Sequence, residues 1–129
     1  MPIFAKVINT YCISNEKRMH ITYKTKELQK YAEDARYSLK KLGAVISNNY
    51  TKRITALISA ESLEDVRNLP GDYHELTGNR KGQWACSLDG NNRLIFEPHE
   101  NPIPTNPSGQ YIWCEIKGVE IEEIVDYHK

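Results

Sequence analysis

The chain has 129 residues, 40% of them apolar and 26% charged, and its 17 Lys/Arg balance 17 Asp/Glu. That size suits one domain burying roughly two thirds of its unfolded surface, with an ordinary soluble globular composition. No apolar run approaches the ~20 residues that span a bilayer, and no basic region with a small-residue cleavage site opens the chain, so neither a membrane helix nor a secretion signal is expected. The charge is unevenly spread: residues 1–58 carry +7 and residues 59–129 carry −7. A basic first half can meet RNA phosphates, and an acidic second half can meet a basic partner. Cys12, Cys86 and Cys114 are odd in number and lack C-x-x-C spacing, which reads as reduced, mostly buried thiols in a cytosol.

In chain order, residues 1–18 form an N-terminal extension of no assigned role, with a strand predicted over Ile3 to Ile13. His20 to Lys24 is β-branched and aromatic and predicts a strand. Thr25 is a helix N-cap candidate. After it Leu28, Tyr31, Ala32, Ala35, Leu39 and Leu42 recur at helical spacing up to Gly43, with Lys26, Lys30, Lys40 and Lys41 opposite. A second helix is predicted over Val45 to Ala60, with Ile46, Tyr50, Ile54, Leu57 and Ile58 inward and Lys52 and Arg53 elsewhere. Ser62 to Asp65 opens a short helical turn that Leu69-Pro70-Gly71 ends. Tyr73 to Thr77 predicts a short strand carrying His74.

Gln83 to Leu88 alternates, with Trp84, Cys86 and Leu88 on one side, and Arg93 to Glu97 is a second strand-like run. Asp89-Gly90-Asn91-Asn92 joins them, and a Gly/Asn loop that supplies positive φ predicts a hairpin. Residues 99–110 hold Pro102, Pro104, Pro107 and Gly109 and read as a proline-rich loop insertion. Trp113 anchors the return, and Val119, Ile121 and Val125 alternate in a last strand that ends in Asp126-Tyr127-His128. Strand, two helices, then a run of strands is an α+β order: a helical hairpin packed on a small, mostly antiparallel sheet.

The chemistry-bearing residues cluster around the hairpin. His74 precedes a basic loop, Gly78-Asn79-Arg80-Lys81-Gly82, and Arg93 opens the second strand. RNA can be cut without metal: its own 2′-OH attacks phosphorus while one group takes a proton, another gives one, and cations hold the phosphorane oxygens. Histidine titrates near working pH, arginine presents a fixed charged fork, and an aromatic ring can stack on an unpaired base. No C-x-x-C, His-x-x-x-His or acidic ligand loop is present, so no metal and no cofactor is expected. His20 and His99 match no site.

The run His74-Glu-Leu-Thr-Gly-Asn-Arg-Lys-Gly82, the hairpin after it and the terminal Val125-Asp126-Tyr127-His128 stand in an order that resembles the RelE-like bacterial toxins, in their HigB-type killer-protein branch, over residues 19–129. The resemblance implies the toxin of a type II toxin–antitoxin pair, a ribosome-dependent mRNA endoribonuclease working by metal-independent acid/base cleavage in the cytoplasm. It implies catalytic roles for His74, Arg93, Asp126, Tyr127 and His128. Arg80, Lys81, Lys26, Lys30, Lys40, Lys41, Lys52 and Arg53 are the candidates for RNA contact. The implied partners are a helix-turn-helix antitoxin of the HigA type, the ribosome with its mRNA, and operator DNA reached through the antitoxin complex. Thr77 stands where many relatives carry a lysine, and Asn92 where they carry an aromatic. A non-catalytic module of the same fold, binding antitoxin as an operon co-repressor, is the alternative.

Overall fold

A computed structural model describes residues 19–126. The strand predicted before Met19, and Tyr127 and His128, lie outside the described residues. The architecture is α+β: helices packed on one face of a five-stranded sheet of order β1-β5-β4-β3-β2. The strands are β1 (His20–Tyr23), β2 (His74–Glu75), β3 (Trp84–Ser87), β4 (Asn92–Pro98) and β5 (Gly118–Asp126). β1 runs parallel to β5, and every other pairing is antiparallel.

The helical layer holds α1 (Lys26–Glu33), α2 (Ala35–Leu42), α3 (Ala44–Ser59) and the single turn α4 (Leu63–Val66). The Thr25 hydroxyl caps α1 by accepting from the Leu28 amide. The first predicted helix is broken in two. Asp34 leaves helical geometry at φ −125°, ψ 98°, and its carboxylate accepts from the Tyr37 amide to cap α2. A short acid that bonds its own backbone competes with the continuing helix, and here it wins. The break also rotates the inward face: Ser38 is buried against the Ser47 hydroxyl at 2.7 Å, while Leu39 is 54% exposed. α3 keeps the predicted face, with Tyr50, Ile54 and Leu57 buried. The Tyr50 hydroxyl donates to the Leu28 carbonyl at 2.7 Å and ties α3 to α1.

Trp84, Cys86, Leu94, Phe96, Val119 and Ile121 meet these helices in one apolar core. Leu88 beyond β3 is also fully buried, as the alternation predicts. Each deeply buried large side chain of this kind contributes about 1.5–3 kcal/mol by leaving water. Two local expectations fail. Gly90 does not take a positive φ; instead the Asp89 carboxylate accepts from the Asn91 and Asn92 amides at 2.9 and 2.7 Å and shapes the turn itself. And the alternation Val119, Ile121, Val125 is interrupted. The β4–β5 register shifts at Ile95/Phe96, so Ile95 faces Glu123 while Phe96 faces Ile121. The extra residue, Glu122, moves the phase by one: Ile124 joins the core face and Val125 pairs with Arg93 on the other.

The thiols also depart from expectation. Cys86 is buried and free, and burial pushes its thiol up to about 12. Cys114 is disulfide-bonded, against the expectation of reduced thiols. No helix among the described residues is long and apolar enough to cross a membrane.

Candidate functional site

The hairpin register decides which candidate residues share a face. Residues directly opposite in an antiparallel ladder point the same way, and alternate residues along a strand repeat the direction. His74 faces Ala85, Ala85 faces Ile95, and Ile95 faces Glu123. Arg93 is two positions from Ile95 and sits between Ser87 and Val125. His74 and Arg93 therefore lie on the same face, the one turned away from the helices, with backbones on the order of 12 Å apart by strand spacing and rise. Asp126 pairs with Asn92, so β5 reaches its last described residue next to Arg93. Alternation puts the Asp126 side chain with Ile124 and Asn92 rather than with Arg93.

His74 is set by the turn before it. Gly71 has φ +123° and Asp72 φ +56°, a left-handed pair that reverses the chain. His74 Nδ1 donates to the Asp72 carbonyl at 2.8 Å. In the neutral ring that bond leaves the lone pair on Nε2, the nitrogen suited to take a proton. Arg53 supports the turn from α3: its Nε donates to the Ser87 carbonyl at 2.8 Å, and a Cβ on Gly71 would stand 2.6 Å from that same Nε. Arg53, unlike exposed Lys52, is half-buried under the His74 turn, with its Nε engaged on the Ser87 carbonyl.

Arg80 ends a 3-10 turn (Gly78–Arg80) and reaches over the same face. Its Nη2 meets the Glu123 carboxylate at 2.9 Å and its Nη1 donates to Gln83 Oε1 at 2.9 Å. Gln83 in turn donates to Glu97 at 2.9 Å. Arg93 Nη1 donates to the carbonyls of Asp89 and Asn92 at 2.8 and 3.1 Å, which folds its side chain toward the turn. Lys81 is exposed, with Nζ 5.6 Å from the Tyr111 ring centroid.

The remaining cations belong to another surface. Lys26, Lys30, Lys40, Lys41 and Lys52 are exposed on α1, α2 and α3, in the layer across the sheet from His74 and Arg93. Lys30 sits over the Tyr37 ring at 4.2 Å. The candidate cations thus divide into a helix-layer set and a sheet-face set of Arg80, Lys81 and Arg93.

One group escaped the sequence reading. Glu97 faces Glu120 directly across β4 and β5, and Glu122 at the bulge joins them. Burial first, then the neighbouring Glu120 and Glu97, pushes Glu122 up to about 7. No linear spacing joins these three; the sole hint is the doublet Glu122-Glu123 that interrupts an alternating strand.

No family model matches the sequence, and no curated protein matches it. Nine chains of solved structures match in fold. A YoeB/ParE toxin from Agrobacterium tumefaciens aligns at 13% identity and TM-score 0.45, over 84% of this chain and 98% of that one. A YafQ variant from E. coli aligns at 17% identity and TM-score 0.48, over 86% and 96%. The YoeB–YefM complex from Staphylococcus aureus aligns at 17% identity and TM-score 0.42, over 87% and 99%. At TM-scores below 0.5 and identities below 20%, these likenesses decide neither family nor activity.

Proposed function

We propose that the chain is the toxin of a type II toxin–antitoxin pair and acts as a ribosome-dependent mRNA endoribonuclease of the RelE-like superfamily, with HigB-type motifs, in the cytoplasm. The observation that carries this reading is the shared sheet face of His74 and Arg93, with Arg80 reaching over it and β5 ending beside Arg93. A single RNA strand laid along that face meets a proton acceptor and two guanidinium forks. His74 Nε2 takes or returns a proton, with Nδ1 held by the Asp72 carbonyl. Arg93 and Arg80 stabilise the phosphorane oxygens. Tyr127 stacks on a base, and His128 supplies the second proton transfer. Asp126 orients the tail. No metal or cofactor takes part in that cleavage. The ribosome holds the message in the reactive pose, so much of the rate comes from positioning.

The partners under this proposal are a helix-turn-helix antitoxin of the HigA type, the ribosome and its mRNA, and operator DNA through the antitoxin complex. Lys26, Lys30, Lys40, Lys41 and Lys52 meet ribosomal RNA from the helix layer. Induced expression tests the reading: growth arrest with message cut at codons, mapped by primer extension, supports it.

One observation favours the non-catalytic alternative. Arg80 is paired with Glu123, and Arg93 is turned onto backbone carbonyls. A module that binds antitoxin and represses its operon needs neither arginine on a phosphate. Normal growth on induction, together with an antitoxin-dependent operator complex, selects that reading.

A further inference from the structure

Like charges placed directly opposite on a sheet are destabilising. Glu97 and Glu120 are such a pair, and the β5 bulge adds Glu122 to the same spot. One carboxylate oxygen from each of the three lies within 4.8 Å of the others. The Glu122 side chain is only 8% exposed, and its Oε2 is buried with no hydrogen-bond partner. Among the described residues the cation paired with the cluster is Lys24, whose Nζ stands 3.4 Å from Glu122 Oε1 and which is itself 62% exposed. One solvated ammonium does not neutralise three carboxylates. Beside the cluster opens a cavity of about 330 Å³ lined in part by Glu97, Glu120, His99, Gln83 and Lys81.

We propose that Glu97, Glu120 and Glu122 form a divalent-cation site for a hard, oxygen-preferring ion of calcium or manganese size. Calcium takes oxygens at roughly 2.3–2.6 Å, so two ligands across one ion stand up to about 5 Å apart, the spread these oxygens already have. All-oxygen donors select hard ions over zinc or copper. The cavity admits the waters that complete the shell. The orphaned Glu122 Oε2 gains a partner, and the repulsion across the strands becomes attraction.

The site lies on the same sheet face as the one proposed for RNA, toward the other end of β4. Glu97 lies four residues along β4 from Arg93, roughly 13 Å by strand rise. Hydrogen bonds through Glu97–Gln83–Arg80–Glu123 connect the cluster to Arg80. The ion fastens β4 to β5 across that face.

The full chain, stripped with EDTA, is titrated with CaCl₂ and separately with MnCl₂ by calorimetry, and melted with and without each ion. The expected result is one ion per chain, with a Kd of about 10–1,000 μM for a site with few protein ligands, and a melting temperature that rises with ion concentration. Glu97→Gln and Glu120→Gln, both half-exposed positions, keep the test independent of whether the buried Glu122 tolerates change. In EDTA each variant melts at or above wild type, because a like charge has gone. With calcium each melts below wild type and binds at least tenfold more weakly. No heat and no melting shift up to about 5 mM of either ion overturns the proposal. So does a response that both variants keep unchanged.

Discussion

The Arg80 guanidinium is held 2.9 Å from the Glu123 carboxylate, on the sheet face that His74 and Arg93 share. The pair is exposed enough to open, and surface ion pairs of this kind are worth about 0–1 kcal/mol. A phosphate thus competes with Glu123 for Arg80 at little cost. Glu123→Gln is expected to tighten binding of single-stranded RNA several-fold. Arg80→Ala is expected to weaken it and to lower the slope of log K against log salt by about one. Salt-dependent binding of a short RNA measures both. Equal affinities for all three proteins would place the RNA elsewhere.

The turn that presents His74 depends on a glycine and a distant arginine. Gly71→Ala introduces a Cβ 2.6 Å from Arg53 Nε at a φ of +123°, so it strains the backbone and displaces Arg53. A loss of about 1–3 kcal/mol is expected. Arg53→Ala strips the Ser87 carbonyl of its donor and is expected to cost a similar ~1–3 kcal/mol. Lys52→Ala, next door but exposed, should stay within about 0.5 kcal/mol. Urea melts of the three variants check this ordering.

His74 tolerates replacement structurally, because its ring is 42% exposed and holds one bond to the Asp72 carbonyl. His74→Ala should leave the melting temperature within about a degree or two of wild type while lowering the cleavage rate by roughly 10²–10⁴-fold, the usual range for a lost proton-transfer group. Single-turnover cleavage on translating ribosomes, alongside a thermal melt, separates the two effects.

Stability should fall on acidification through the Asp89 turn. The Asn92 and Asn91 amides and the Asn92 side chain hold the Asp89 carboxyl below its ordinary value of 3.8. A group with a depressed folded pKa contributes stability above its unfolded value and loses it as pH falls through the folded one. The window therefore lies below about pH 4. Asp89→Asn should be less stable at neutral pH and show a shallower acid limb. Melting temperature against pH for the two proteins shows it.

Much of the fold was written in side-chain periodicity. Trp84, Cys86 and Leu88 face the core as the alternation requires, and Tyr50, Ile54 and Leu57 line α3 as their spacing requires. What periodicity did not reveal came from single polar residues. Asp34 breaks a helix whose apolar pattern runs on through it, because its capping bond is a local choice that no average over a window detects. Asp89 shapes a turn that looked like a task for Gly90. Glu122 slips β5 by one residue, which turns Val125 outward and Ile124 inward. On the site, the sequence order already gathered His74 and Arg93 around one hairpin, and the strand register then put them on one face. The pairing of Arg80 with Glu123, the role of Arg53 under the turn and the three-glutamate cluster all join residues distant in sequence, so only the folded register brings them together.

The central claim is that the face bearing His74 and Arg93, together with the terminal Tyr127 and His128, cuts RNA. The most direct measurement is primer extension on a translated message during induction of the wild type, Arg93→Ala and His128→Ala at matched protein levels. Cuts at codons for the wild type, and their loss with restored growth in both variants, are the predicted result. Cuts that persist in both variants, or an uncut message with the wild type, would contradict it.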